Sequence, residues 1–207
     1  MQAPLFSTTE LQKIPFGDGG LLYCPNWLPL KLANLYFHRL RIQTQWQQST
    51  IRVAGRPVNI PRLNAWYGDV GANYHYSGLA FTPLPWTRTL GALKTRLQQR
   101  VLDDELALDF NSALLNLYRH GDDSVAWHTD DEAELGAQPL IASISLGASR
   151  RFLFKRRDGS QRQQIDLKHG SLLIMLPPMQ SHWLHCLPKT KIAKTARINV
   201  TFRQVLV

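Results

Sequence analysis

The spacing of apolar residues changes from a helical period to a strand-like one near the middle of the chain. Within 28–42 and again within 86–102, apolar residues recur three and four positions apart, which predicts two helices. They are Leu32, Leu35, Tyr36 and Leu40 in the first segment and Leu90, Leu93, Leu97 and Val101 in the second. Residues 1–27 show neither period, so we expect irregular structure there.

From residue 111 onward, short apolar runs are separated by turn residues. About eight short strands at regular spacing are typical of an antiparallel sandwich or jelly roll. The runs are 114–118, 124–128, 141–146, 152–155, 164–167, 172–176, 182–187 and 196–204. We therefore expect a mostly β fold with flanking helices, in which two N-terminal helices cover a double-stranded β-helix (jelly-roll) core.

The length of 207 residues and the scattered Pro and Gly residues favour one domain over two. We expect an N-terminal extension with the first helix (1–48), a segment with the second helix (49–102) and the β core (103–207). Cys24 and Cys186 form no CxxC pattern, which fits a reducing cytoplasm. The first residues do not resemble a signal peptide, and prolines interrupt the uncharged stretch 171–188, so we expect no membrane span.

Charge is distributed unevenly along the chain. Residues 1–102 sum to +8, 103–134 to −9 and 135–207 to +10, which gives the total of +9. The two basic flanks could attract a polyanion, although a solvated basic surface explains the same charge.

The acidic centre contains a candidate metal site. His128 and Asp130 are two residues apart, so on a strand they would point to the same side. His182 and His185 lie in a later strand, and one of them would complete a set of two imidazoles and one carboxylate. That set is typical of non-haem iron(II) oxygenases, and it leaves three positions of an octahedral ion for a chelating 2-oxo acid and dioxygen.

The last predicted strand alternates strictly between polar and apolar residues. Its polar side carries Arg197, Asn199, Thr201 and Arg203. A surface strand would alternate in the same way, but two guanidinium groups on one face also match the carboxylates of a small diacid. Asn116 and Tyr118, also two apart, could complete this anion site from a neighbouring strand.

These motifs together resemble the AlkB family of 2-oxoglutarate and iron(II) dependent dioxygenases, most closely its nucleic-acid demethylases. The similarity extends from near residue 50 to residue 206 and preserves order, spacing and residue type. The matching segments are Asn116-Leu-Tyr118, His128-Thr-Asp130-Asp131-Glu132, Ser143-Ile-Ser-Leu-Gly147, His169-Gly-Ser-Leu172, His182-Trp-Leu-His185 and Arg197-Ile-Asn-Val-Thr-Phe-Arg203.

The resemblance implies iron(II), 2-oxoglutarate and dioxygen as cofactors and assigns a role to each polar residue. The implied iron ligands and catalytic residues are His128, Asp130 and His185, which leaves His182 a structural role. The implied 2-oxoglutarate contacts are Asn116, Tyr118, Arg197, Asn199, Thr201 and Arg203.

The resemblance also places residues 49–102 as a lid that recognises the nucleotide. Tyr76 would stack on the flipped base, with Tyr74 beside it, and Asp131 would contact the edge of the base. Ala54, followed by Gly55 and Arg56, stands where duplex-acting relatives carry an aromatic wedge. Because a methyl group does not replace stacking worth roughly 1–3 kcal/mol per base, this argues against efficient action on duplexes.

We therefore expect a monomeric, cytoplasmic demethylase, associated with the nucleoid in a bacterium. It would restore 1-methyladenine and 3-methylcytosine in DNA, and RNA is a further candidate substrate. One alternative keeps the cofactors but acts on a protein side chain or small metabolite, and another is a nucleic-acid-binding module without turnover. A basic hairpin after the Ser143 strand could follow a phosphate backbone or form a solvated tip. It contains Arg150, Arg151, Lys155, Arg156, Arg157 and Arg162.

Overall fold

A computed structural model describes residues 10–53, 55–76, 79–103, 106, 109–193 and 195–206. The helices within these ranges are α1 (Leu30–Gln43), α2 (Arg88–Asp103) and the short α3 (Met179–His182), together with a 3-10 turn at Ala133–Leu135. The strands, in chain order, are β1 (Gln12–Pro15), β2 (Gly20–Cys24), β3 (Thr50–Val53), β4 (Arg56–Asn59), β5 (Leu63–Gly68), β6 (Tyr74–Tyr76), β7 (Leu79–Phe81), β8 (Ser112–Tyr118), β9 (Val125–His128), β10 (Ile141–Gly147), β11 (Arg150–Arg156), β12 (Arg162–Leu167), β13 (Ser171–Leu176), β14 (Trp183–Leu187) and β15 (Arg197–Arg203).

Two antiparallel sheets form the core. The larger has the strand order β1-β2-β13-β10-β15-β8-β5, and the smaller has the order β12-β11-β14-β9. Buried residues of both sheets pack in one cluster, including Leu114 and Leu173 from the larger sheet and Phe154 and Trp183 from the smaller. The sheets therefore face each other, which confirms the predicted mostly β fold with a jelly-roll core.

The two long helices cover the opposite face of the larger sheet. Tyr36 and Leu40 of α1 and Leu93 and Leu97 of α2 share a buried cluster with alternate residues of the larger sheet, such as Val200. Both helices begin two residues later than the apolar spacing predicted. Helix α1 begins at Leu30, directly after its N-cap Pro29, and α2 begins at Arg88. The predicted helical cover of one sheet face is confirmed.

The expectation of irregular structure throughout residues 1–27 was wrong. β1 and β2 form a hairpin, and β2 pairs with β13 through Leu22 opposite Ile174 and Cys24 opposite Leu172. Because β2 is buried on both faces, its five residues show no polar alternation to mark a strand. In the described part of the chain, no helix is long and apolar enough to cross a membrane.

Candidate metal and dicarboxylate site

The strand pairing at the edge of the smaller sheet brings two histidines together. His128 on β9 lies directly opposite His185 on β14, and their ring centroids are 4.3 Å apart. Asp130 follows β9 by two residues, and the ligand atoms of all three side chains lie within 4.8 Å of one another. These are the three iron ligands that the resemblance implied.

Short hydrogen bonds fix the orientation of these ligands. Nδ1 of His128 lies 2.9 Å from the carbonyl oxygen of Ala126, so Nε2 is the nitrogen that a metal would meet. The backbone N–H of Asp130 donates to Oε1 of Gln180 on α3 at 2.9 Å. Both contacts hold the ligands in place before a metal binds.

The protonation states also suit metal binding. Burial lowers the pKa of His128, and it lowers the pKa of His185 to about 3, so both imidazoles are neutral at physiological pH. Burial alone would raise the pKa of Asp130, but the guanidinium of Arg203, which donates to this carboxylate, outweighs burial and holds the pKa below its usual range. Two neutral imidazoles and an ionised carboxylate are the forms that bind a divalent cation.

His182 lies outside this cluster. It ends α3 with its side chain 42% exposed, and its Nδ1 is 3.6 Å from Oδ2 of Asp18. This position agrees with the structural role that the resemblance left to it.

The polar side of β15 lines the same cavity as the metal ligands. Arg197, Asn199, Thr201 and Arg203 are all buried, while Ile198, Val200 and Phe202 pack toward the helices. Because β15 lies between β10 and β8, it is a central strand and not a surface one. Asn116 and Tyr118 of β8 line this cavity as well, so the six predicted dicarboxylate contacts are brought together.

The two arginines of this cavity have different partners. Nη2 of Arg197 donates to Oγ of Ser145 at 2.8 Å and to Oδ1 of Asn199 at 2.9 Å. Nη2 of Arg203 donates to Oδ1 of Asp130 at 2.8 Å. Among the described residues, Nε of Arg197 and Nε and Nη1 of Arg203 are buried without a hydrogen-bond acceptor.

These donors provide the test of whether the residues fit a dicarboxylate. A buried guanidinium N–H without an acceptor is unfavourable, and a carboxylate oxygen satisfies it with a charge-assisted bond. Burial lowers the pKa of Arg197 to about 10, so this guanidinium remains cationic at neutral pH. The cavity therefore fits a small diacid such as 2-oxoglutarate beside the metal ligands.

Three supporting groups were missed at the sequence level. Arg62, which is 6% exposed, donates from Nε to Oδ1 of Asn116 at 2.8 Å and also lines the cavity. Gln180 orients Asp130, and Oγ of Ser143 donates to Oδ1 of Asn199 at 2.8 Å. Ser143 begins one of the segments that carried the resemblance and Arg62 lies within the predicted lid, but Gln180 carried no signal because its partner is far away in the sequence.

The predicted substrate contacts that the structure describes, unlike the metal and dicarboxylate residues, are not brought together in one cavity. Tyr74 is fully buried, its ring stacks on Trp66 with centroids 4.6 Å apart, and Arg203 lies over it at 5.5 Å. Its ring is enclosed in this structure, and its contact with substrate stays a prediction. Tyr76 pairs with Leu79 through its backbone, and the structure describes no more of it. Ala54 lies outside the described residues.

Gly55 and Arg56 lie at the turn of the β3–β4 hairpin, where Gly55 has a φ of 77° and Arg56 is exposed. Asp131 is not among the residues that line the cavity, and its Oδ2 accepts a 2.7 Å hydrogen bond from Nη2 of Arg157. Glu132 is the more buried of the two acidic residues. Burial, followed by the charge of Asp130, raises the pKa of its carboxyl, and a hydrogen bond with Tyr74 opposes this shift.

Comparisons with known proteins agree with this geometry. Residues 20–203 match the model of the 2OG-Fe(II) oxygenase superfamily, which defines the class of protein. The chain is 37% identical over 206 residues to "Alpha-ketoglutarate-dependent dioxygenase alkB homolog 3" of Bos taurus, covering 95% of this chain and 70% of that protein. It is 40% identical over 216 residues to "DNA oxidative demethylase ALKBH2" of Mus musculus, covering 92% and 88% respectively.

The solved structure of OsALKBH1 superposes with a TM-score of 0.66 over 93% of this chain and 100% of that one. At 15% identity this similarity supports the fold alone. On the family model and the two relatives, the chain belongs to the AlkB family within the 2OG-Fe(II) oxygenase superfamily, and iron(II), 2-oxoglutarate and dioxygen are its cofactors.

Proposed function

We propose that this protein is an oxidative demethylase that restores N-alkylated bases in DNA, with 1-methyladenine and 3-methylcytosine as its substrates. One observation carries the proposal. Two neutral imidazoles and one carboxylate, placed to bind a metal ion, lie in the same cavity as guanidinium N–H donors that lack acceptors. The similarity to the DNA oxidative demethylase ALKBH2 of Mus musculus supports DNA as the substrate.

When bound, iron(II), 2-oxoglutarate and dioxygen supply the chemistry that hydroxylates an N-methyl group, and the base is restored with release of formaldehyde, succinate and CO2. The protein would hold the metal through His128, Asp130 and His185. Arg197 and Arg203 would bind the carboxylates of 2-oxoglutarate through the N–H groups that lack acceptors.

Other residues of the cavity orient these groups and exclude water from them. Arg203 neutralises Asp130, and Arg62 orients Asn116. The apolar side chains of Leu114, Phe152 and Met175 also line the cavity and exclude water from the reacting groups. A target base must leave its stack to reach this cavity. Because unstacking and unpairing cost less free energy in a single strand, we expect faster demethylation of single strands than of duplexes.

The test is a panel of single-stranded DNA, duplex DNA and RNA oligonucleotides that contain 1-methyladenine or 3-methylcytosine. Protein is incubated with iron(II) and 2-oxoglutarate, and formaldehyde and the restored base are measured by mass spectrometry. We expect both products from methylated DNA. Succinate formation without any restored base would contradict the proposal and favour another substrate.

Two histidine variants provide a matched control. His185→Ala removes a proposed metal ligand and should abolish demethylation, because two ligands do not hold the ion. His182→Ala removes a histidine three residues away that lies outside the metal cluster, and it should retain activity. Equal loss in both variants would contradict the assignment of His185.

A further inference from the structure

A second concave site lies beside the metal cavity. It is a groove of about 480 Å³ between the base of the β3–β4 hairpin and the edge strand β9. Ile51, Ile60 and Pro61 form the hairpin side. Arg62, Val125 and His128 line both this groove and the metal cavity, so the two sites are continuous. A molecule that reaches the metal thus passes next to this groove.

The groove contains an exposed aromatic ring. Trp127 is 37% exposed, although large aromatic side chains are usually buried, and it precedes the metal ligand His128 directly. Nζ of Lys155 lies over this ring at 4.7 Å from its centroid. The lysine covers one face of the indole by a cation–π contact and keeps the ring in place. The groove therefore combines a positioned aromatic surface with a positive charge.

The cations around the groove differ from the rest of the basic hairpin. Arg151, Arg156 and Arg157 are within salt-bridge distance of Asp166, Asp18 and Asp131, respectively. Arg150 is buried, and its guanidinium donates to backbone carbonyl oxygens.

By contrast, within the described part of the chain, Lys155 and Lys189 form no ion pair with a carboxylate. Lys189 lines the groove, and Lys155 contacts its tryptophan. Cations without carboxylate partners are the ones available to a phosphate. Apart from the buried Arg150, the basic hairpin residues that the structure describes without a carboxylate partner are therefore Lys155, beside Trp127, and the exposed Arg162, which lies opposite Lys155 on β12.

We propose that this groove binds the nucleotide adjacent to the target base. The neighbouring base stacks on the face of Trp127 that Lys155 leaves uncovered, and Lys155 and Lys189 contact the flanking phosphates. Aromatic stacking with nearby cations binds single-stranded nucleic acid with little sequence preference. This inference rests on the proposed function, because it requires a nucleic-acid substrate, and it adds a subsite outside the catalytic cavity.

The test combines variants of the protein with abasic positions in the substrate. Binding of a short single-stranded DNA with a central 1-methyladenine is measured by fluorescence anisotropy, without 2-oxoglutarate to prevent turnover. We expect Trp127→Ala to raise Kd about fivefold or more and Trp127→Phe to recover most of the affinity. An abasic residue at the position that stacks on Trp127 should weaken wild-type binding to the same extent, and it should have no effect on the Trp127→Ala variant.

Lys155→Ala should weaken binding and flatten its salt dependence, whereas Lys31→Ala, which changes an exposed lysine on α1, should do neither. Equal affinities of wild type and Trp127→Ala, or an equal abasic penalty in both at every position, would overturn the inference. Demethylation of the same oligonucleotide by the wild type is measured in parallel. Absent demethylation with intact coupling would reject the proposed function and keep the subsite.

Discussion

Arg197 and Arg203 occupy the same face of β15, but replacing each by Met should have different effects on the metal-free protein. Arg203 forms a 2.8 Å ion pair with Asp130, and the two side chains are 4% and 3% exposed. Removing one partner of such a pair leaves a buried charge without compensation, which costs about 3–5 kcal/mol. Because polar side chains of the same cavity surround Asp130, we expect Arg203→Met to lie at the lower end of this range, about 3 kcal/mol.

Arg197 has no carboxylate partner, and it donates to Ser145 and Asn199. Loss of these two hydrogen bonds costs about 1 kcal/mol each. Against this, burial lowers the pKa of Arg197 from 12.5 to about 10. That shift corresponds to a penalty of about 3 kcal/mol for keeping the charge buried, which Arg197→Met removes. We therefore expect Arg197→Met to change the stability by no more than about 1 kcal/mol in either direction.

The assay is thermal unfolding in the presence of a chelator. For a chain of this size about 2–4 °C is lost per kcal/mol, so Arg203→Met should lower Tm by roughly 6–12 °C and Arg197→Met by less than about 4 °C. Manganese(II), which binds without redox chemistry, should restore more of the Tm in Arg203→Met, because the ion neutralises Asp130. Both variants should raise the KM for 2-oxoglutarate. Equal losses of Tm, or no extra gain with manganese, would refute this reasoning.

Three further changes test other parts of the site. Tyr74→Phe should lower the free energy of unfolding by about 1–3 kcal/mol, since the buried Glu132 loses its hydroxyl partner. It should leave the KM for methylated DNA unchanged, and a raised KM at unchanged stability would confirm Tyr74 as a substrate contact. Gln180→Ala removes the acceptor of the Asp130 N–H and should weaken manganese(II) binding measured by calorimetry, while Gln180→Glu, which keeps an acceptor, should bind more tightly than Gln180→Ala. His185 should account for about 1.4 kcal/mol of the stability that the metal-free protein loses between about pH 7.5 and 5.5 in urea unfolding, because its pKa is lowered to about 3 and only the unfolded chain takes up that proton. Burial also lowers the pKa of His128, so the total loss should exceed this figure, and it should shrink by about 1.4 kcal/mol in His185→Asn. A flat profile, or the same slope in His185→Asn, would contradict that assignment.

The alternation along β15 is the part of the site that the sequence predicted best. Side chains two apart on a strand must share a face, so the polar set from Arg197 to Arg203 was determined locally. Periodicity alone did not say whether this face meets solvent or a second sheet. The smaller sheet lies opposite it, with Phe154 and Trp183 in the shared core, so this face lines a cavity between the two sheets.

The alternation of side chains along a strand was not enough to predict the substrate contacts. Tyr74 alternates correctly on β6, but Trp66 of β5 and Arg203 of β15 enclose its ring, and neither neighbour is close in sequence. Asp131 lies next to a metal ligand, but its carboxylate pairs with Arg157 on the turn after β11 and does not line the cavity. In both cases a partner distant in the chain decides where the side chain points, and no motif records that partner.

Arg203 shows that the metal site and the dicarboxylate site are not independent. Its backbone belongs to the strand that lines the dicarboxylate cavity, but one of its guanidinium nitrogens neutralises the metal ligand Asp130, and its other donors, Nε and Nη1, lack acceptors. Spacing along the chain assigns Arg203 to the dicarboxylate alone, because Asp130 is 73 residues away. A change at Arg203 therefore perturbs both metal and co-substrate binding, whereas a change at Arg197 affects the dicarboxylate side only.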